Sequence, residues 1–257
     1  MNSAKQKLSA GKLVLCMGLR LARSPDIAMI AADCGFDAIY ADMQHSPLSL
    51  ETVSAICVGA LGQGITPLVR PPSHAGDAIS RALDGGAQGV IMPNVNDAAQ
   101  ARAVVDYGRF PPLGHRSVMG PTPALGYRAL PLGEINQTLN TQTLIVVMLE
   151  TAQGIAHADE IAAVPGVDIL LIGSNDLCTE LGIPGQLRHP KLREAFEAAA
   201  KACRTHGKTL GVGGIRGDLG LQRDLVQLGA RFIIAGNDVA YIATAARKDV
   251  EALRGLA

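Results

Sequence analysis

Short apolar runs alternate with amphipathic stretches along the whole chain. The runs are "LVLCMGL" from Leu13, "DAIYA" from Asp37, "ITPLV" from Ile65, "GVIMP" from Gly89, "LIVVML" from Leu144, "VDILLI" from Val167, "TLGVGG" from Thr209 and "FIIAG" from Phe232. They are rich in β-branched residues and apolar on both alternating faces, which predicts strands buried on both sides. Helical periodicity predicts helices over Pro25–Cys34, Leu50–Leu61, Ala75–Asp84, Asp97–Tyr107, His157–Val164, Pro190–His206, Leu219–Leu228 and Val239–Leu256. Ser49 and Asn96 or Asp97 stand where N-caps belong, and glycines close several helices, as in "DCGFD" and "LGARF".

Eight alternating strand–helix units in 257 residues predict an α/β fold, a single (β/α)₈ TIM barrel over residues 1–257. A doubly wound open sheet is the competing arrangement, but no GxGxxG follows the first strand; "GVGGIRG" at Gly211 has the wrong spacing and comes late. One connection is abnormal. From about residue 108 to 143 the chain is rich in Pro and Gly and shows no strand. A loop of that length predicts an active-site or subunit contact.

Barrel enzymes carry their chemistry at the C-terminal ends of the strands. Asp42 and His45 follow the second run, Arg70 ends the third, Glu150 ends the fifth, and Asp176 follows the sixth in "GSND". Taken singly, each has an ordinary use: a loop histidine, a paired arginine, carboxylates at helix N-termini. Together they place a histidine, an arginine and three carboxylates on one rim. Glu150 and Asp176, from adjacent strands, would face each other with no lysine nearby. Two unpaired carboxylates in a site are unfavourable unless a cation joins them. Oxygen-only ligation with room for water suits Mg²⁺ or Mn²⁺. A cation beside an arginine can hold a 2-oxo acid and stabilise an enolate. A histidine beside a carboxylate can move a proton near neutral pH. Backbone amides of "GSND" and "GVGG" can hold a carboxylate. No lysine sits at the C-terminal end of a strand, Lys208 being nearest but at the wrong end, which argues against a Schiff-base aldolase.

Composition narrows the partners. The formal charge is zero, aromatics are 3%, and tryptophan is absent. These values offer no basic field or stacking platform for nucleic acid. No apolar run reaches the roughly 18 residues needed to span a bilayer. The polar start "MNSAKQKLSAGK" lacks a signal-peptide centre. Five scattered cysteines without a CxxC pair suit reduced thiols. A cytoplasmic protein without membrane or nucleic-acid partners is expected.

The pieces "DMQH", "TPLVRPP", "GAQGVIMPNV", "RFPPLGHRSVMGP", "MLET", "EIAAVPGVDILLIGSNDL" and "RHP" resemble, in order, the motifs of the HpcH/HpaI aldolases. The resemblance runs from about Gly11 to Ala246. It implies a (β/α)₈ class II lyase that cleaves 4-hydroxy-2-oxo acids reversibly to pyruvate and an aldehyde through a pyruvate enolate. The cofactor implied is a divalent ion, Mg²⁺, Mn²⁺ or Co²⁺, on Glu150 and Asp176. His45 would accept the proton, Arg70 would stabilise the enolate, and Asp42 would sit near the metal's water. Asp84 matches an aspartate that tunes the histidine; the strand map puts it at the far end of its own barrel, so its contact would cross a subunit boundary. Asn175 and Gly213 match positions whose backbone meets the substrate carboxylate, and Ser174 beside them is a further substrate-binding candidate. The resemblance further implies a homo-oligomer, a trimer or hexamer, with a swapped C-terminal helix, and a place in aromatic or sugar-acid catabolism. Gln44 and Met148 depart from the sugar-acid members, which carry Glu and Gln there. Rival readings are a related enolate enzyme, macrophomate synthase-like or an acyl-CoA lyase, and a non-catalytic keto-acid-binding barrel.

Overall fold

The structure, a computed structural model, describes residues 1–256. Eight parallel strands close into a barrel in chain order: β1 (Val14–Leu19), β2 (Ala38–Asp42), β3 (Thr66–Arg70), β4 (Gly89–Met92), β5 (Leu144–Leu149), β6 (Ile169–Gly173), β7 (Thr209–Gly213) and β8 (Ala230–Asn237). β8 pairs with β1 and completes the ring. This is the (β/α)₈ barrel that the alternating runs predict.

Strand alternation separates two cores. In β5, Leu144, Val146 and Met148 point into the barrel, with Val14, Cys16, Tyr40, Leu68, Ile169, Leu171 and Phe232 from other strands. Ile145, Val147 and Leu149 point outward against the helices. Both faces are dry, which is why the strands read as continuous apolar runs. The same parity carried past each strand's last inward residue decides what reaches the rim. Tyr40 is followed by Asp42, Leu68 by Arg70, Met148 by Glu150 and Cys16, through Gly18, by Arg20.

The expected helices form, several with the expected bounds, such as Pro190–His206 and Leu219–Leu228. Four further helices carry no strong sequence signal, one of them the single turn Ala152–Ala156 after β5. Ser3–Ser9 is polar and short, and its order comes from tertiary bonds: Asn2 caps Lys5 N at 2.9 Å and donates to Gln88 O and Gln142 O across the barrel floor. Leu132–Gln142 lies inside the long connection, its Asn, Thr and Gln residues being weak helix formers, and buries only Ile135 and Leu139. Ser174–Glu180 starts directly at the end of β6, so Asp176 stands in a helical first turn instead of a loop. The C-terminal helix Asp238–Arg254 packs on β1 and β8, while Ile242 and Leu253 remain exposed. Among the described residues no helix is long and apolar enough to cross a membrane.

Candidate active site

The C-terminal rim holds a cavity of about 230 Å³ lined by His45, Arg70, Glu150, Ser174, Asn175, Asp176 and Gly213, among others. Seven of the nine site residues expected from the sequence therefore meet at one place. No lysine lines it.

Glu150 is buried, and Gly173 on the neighbouring strand makes that possible: a Cβ there would meet Glu150 Oε1 at 2.4 Å. Its Oε2 accepts from Asn94 N at 3.0 Å, and Asn94 adopts φ +51° to present that N–H. Burial pushes the Glu150 carboxyl up to about 7; the Asn94 N–H opposes this, and the neighbouring Asp176 carboxylate adds to it. Asp176 itself is exposed to the cavity. A carboxylate pair of this kind fits a hard divalent cation, whose charge would remove the mutual repulsion. Among the described residues no three His, Cys, Asp or Glu side chains converge. The protein thus offers a two-carboxylate donor set, which leaves coordination positions for water and a chelating substrate.

Arg70 and Asp42 are in-register partners on β3 and β2. Arg70 Nε donates to Asp42 Oδ1 at 2.9 Å and Nη2 to Oδ2 at 2.6 Å, a bidentate buried pair. Arg20 adds a bond from Nε to Asp42 Oδ2 at 2.8 Å. Burial alone would raise Asp42, but the Arg70 contacts, helped by Arg20, hold its carboxyl below the usual range. Asp42 also accepts from the backbone N–H of Gln44 at 3.2 Å and of His45 at 3.1 Å. Asp42 is therefore the anchor of the rim: it aims Arg70 into the cavity and shapes the loop that carries His45. It does not line the cavity itself. The His45 ring is exposed at the cavity mouth. Arg70 further lies over the Tyr40 ring at 5.6 Å, and burial pushes the Tyr40 hydroxyl up to about 12, so it stays a neutral donor. Met148 Sδ approaches Arg70 Nη1 at 3.9 Å, which makes it part of the site wall as well as barrel packing.

Ser174 Oγ is fully buried and has no hydrogen-bond partner among the described residues, so a ligand atom is its natural complement. Asn175 stacks against Gly214, where a Cβ would come within 3.1 Å of its side-chain amide. Asp84 is the residue that the barrel does not bring in. It ends the helix Gly76–Asp84 and is paired with Arg116 at 2.7 Å. His74 bonds Pro93 O at 2.6 Å and does not line the cavity. Arg20, Tyr40 and Arg216 do line it, although no motif marks them. Strand parity flags the first two; Arg216 lies in a loop and has no such signal.

Comparison with known proteins matches residues 19–245 to the HpcH/HpaI aldolase/citrate lyase family model. The chain belongs to this family. A 4-hydroxy-4-methyl-2-oxoglutarate aldolase from Hapsidospora irregularis is 44% identical over 240 residues, covering 92% of this chain and 89% of the relative. A 4-hydroxy-2-oxo-heptane-1,7-dioate aldolase from Escherichia coli is 32% identical, covering 95% and 92%. The crystal structure of an HpcH/HpaI aldolase from Desulfitobacterium hafniense superposes with a TM-score of 0.92 at 32% identity, covering 97% and 96% of the two chains. Like these family members, the chain is a carbon–carbon lyase of the aldolase type.

Proposed function

We propose that this lyase cleaves a 4-hydroxy-2-oxo acid to pyruvate and a carbonyl compound, and runs the reverse addition, with Glu150 and Asp176 holding a divalent cation. The observation that carries the reading is the buried Glu150 carboxyl set against Asp176 beside the Arg70 guanidinium. When bound, the cation would supply Lewis acidity toward the oxygens of the 2-oxo acid. Mg²⁺, Mn²⁺ and Co²⁺ all suit two carboxylates and water.

The chain's own groups divide the remaining work. Ser174 Oγ and the amides at the start of the Ser174–Glu180 helix receive the substrate carboxylate, favoured by the unpaired hydroxyl. His45 takes the proton from the 4-hydroxyl, directly or through water. The C3–C4 bond then breaks: its electron pair moves to C3 and C2, and C4 leaves as a carbonyl. Arg70, fixed by Asp42, holds the negative charge that collects on the C2 oxygen. The enolate takes a proton at C3 to give pyruvate. Tyr40 and Met148 keep water from the inner side of the Arg70 guanidinium.

We further propose a cytoplasmic homo-oligomer, a trimer or hexamer. The exposed apolar residues of the C-terminal helix and of the long loop, Ile242, Leu253 and Met119, favour a covered surface. Asp84, distant from the rim of its own barrel, would then act across a subunit boundary. The test is pyruvate release from a racemic 4-hydroxy-2-oxo acid, followed by proton NMR. Release that stops with EDTA and returns with Mn²⁺ is expected. Release that persists through exhaustive chelation contradicts the proposal.

A further inference from the structure

Cleavage moves two protons, one off the 4-hydroxyl and one onto C3, and His45 accounts only for the first. The floor of the cavity holds a donor for the second. Tyr40, Met148 and Ile234 line the cavity one alternation below the rim, and of the three only Tyr40 carries a proton that can move. Tyr40 is 5% exposed, and its hydroxyl bonds no protein atom among the described residues. Buried phenols find partners, so one that meets a cavity unpaired is complemented by a ligand atom. The ring is fixed on two sides. In register it stands beside Gly18 of β1, where a Cβ would come within 2.8 Å of the ring and 3.0 Å of the hydroxyl. The glycine leaves the room that the phenol fills. On the other side the Arg70 guanidinium lies over the ring at 5.6 Å, so the ring sits directly beneath the group that holds the C2 oxygen.

The other polar groups of the wall are unsuited to protonating carbon. Arg20, Arg70 and Arg216 keep their protons at any working pH, and Asn175 and Asn237 are amides. Ser174 meets the substrate carboxylate, and Glu150 and Asp176 serve the cation. His45 stands at the mouth, on the side from which C4 departs, and the departing carbonyl compound lies between its ring and C3. Tyr40 meets the opposite, inner face. Burial keeps its phenol protonated, and the positive charges of Arg70 and Arg20 favour the phenolate that a transfer leaves behind.

We propose that Tyr40 is a catalytic acid of this lyase, giving its hydroxyl proton to C3 of the enolate from the barrel floor while His45 works from the mouth. The inference rests on the aldolase reading above. The electron pair of the enolate forms the C3–H bond, the O–H bond of Tyr40 breaks, and the C2 oxygen returns to a carbonyl. The phenolate regains a proton from water once pyruvate has left. C4 departs from one face and the proton arrives at the other, so C3 is protonated with inversion.

The experiment compares wild type with Tyr40→Phe as full-length, Mg²⁺-loaded proteins cleaving 4-hydroxy-2-oxoglutarate, with pyruvate release followed by NMR. The variant's kcat should fall by about 10²-fold or more. Its dissociation constant for oxalate, a stable mimic of the enolate, should equal that of wild type. Ferricyanide oxidises an enolate that waits unprotonated, so it should restore the variant's consumption of substrate. Unchanged release in the variant overturns the proposal, as does a loss that ferricyanide does not relieve. A second measurement needs no variant. Wild type is given substrate with a single deuterium of known configuration at C3 in tritiated water, and the chirality of the pyruvate methyl is read on the first turnovers. Inversion is expected; retention or a racemic methyl overturns the role of Tyr40 and leaves the aldolase reading standing. Wild type that releases no pyruvate sinks the aldolase reading and this inference with it.

Discussion

Glu150→Gln should make the metal-stripped protein more stable while removing its cation-dependent chemistry. The side chain is 4% exposed, and its carboxyl is raised from the ordinary 4.5 to about 7, by burial first and by Asp176 in addition. The folded state thus holds a proton that the unfolded chain releases between pH 4.5 and 7. Stability falls as pH rises through that window, and the full loss is present above pH 7. At 1.36 kcal/mol per pKa unit, the ionised carboxylate destabilises the cation-free fold by about 3 kcal/mol. Glutamine keeps the shape and the acceptor for Asn94 N–H but never ionises. Urea unfolding in EDTA should therefore show the variant more stable by about 3 kcal/mol at pH 8.5, and by under about 1 kcal/mol at pH 5. Saturating Mn²⁺ should invert the order. Wild type gains about 4 kcal/mol at a thousandfold excess over Kd, and the variant, with one carboxylate left, gains far less. A variant less stable than wild type at pH 8.5 in EDTA would refute the reasoning, and so would a difference that does not change with pH.

Other consequences can be measured separately. Gly173→Ala places a methyl 2.4 Å from Glu150 Oε1, so Mn²⁺ affinity measured by calorimetry should fall by about 10- to 100-fold. Arg70→Met leaves the Asp42 carboxylate buried and short of its bidentate partner; unfolding should show a loss of about 3 kcal/mol, and adding Asp42→Asn should recover part of it. His45→Ala should lower kcat for cleavage by about 10²- to 10⁴-fold without altering Mn²⁺ affinity. Asn2→Ala removes a helix cap and two bonds across the barrel floor, which should cost about 1–2 kcal/mol of stability and leave kcat/KM untouched.

The barrel is legible in the sequence because parallel strands buried on both faces cannot avoid continuous apolar runs. "LIVVML" and "DILLI" are such runs, and β5 and β6 lie where they do. Glu150 and Arg70 are legible for the same reason: a charge that ends an apolar run marks a strand's active end. Asp42 is different. The pattern places it on the rim but not in its role, because the bidentate bond to Arg70 depends on the register of β2 against β3, which a single run does not encode. Arg20 is hidden by Gly18 and Leu19, which break the visible alternation, although parity carries it into the barrel mouth. The helix Ser3–Ser9 has too little propensity to announce itself and exists through Asn2, Thr66 and the strands it covers. Asp84 is recognisable only by motif, and its bond to Arg116 belongs to the long connection and not to the rim.

The most direct test of the central claim is exchange of pyruvate methyl protons into deuterated water, followed by NMR. It would be run on the metal-stripped protein, on the same sample restored with Mn²⁺ or Mg²⁺, and on Glu150→Gln under both conditions. Exchange that requires the cation and disappears in the variant is the predicted result, since both follow from an enolate formed beside the Glu150–Asp176 pair. A folded, cation-loaded wild-type protein that leaves the methyl protons in place would contradict it.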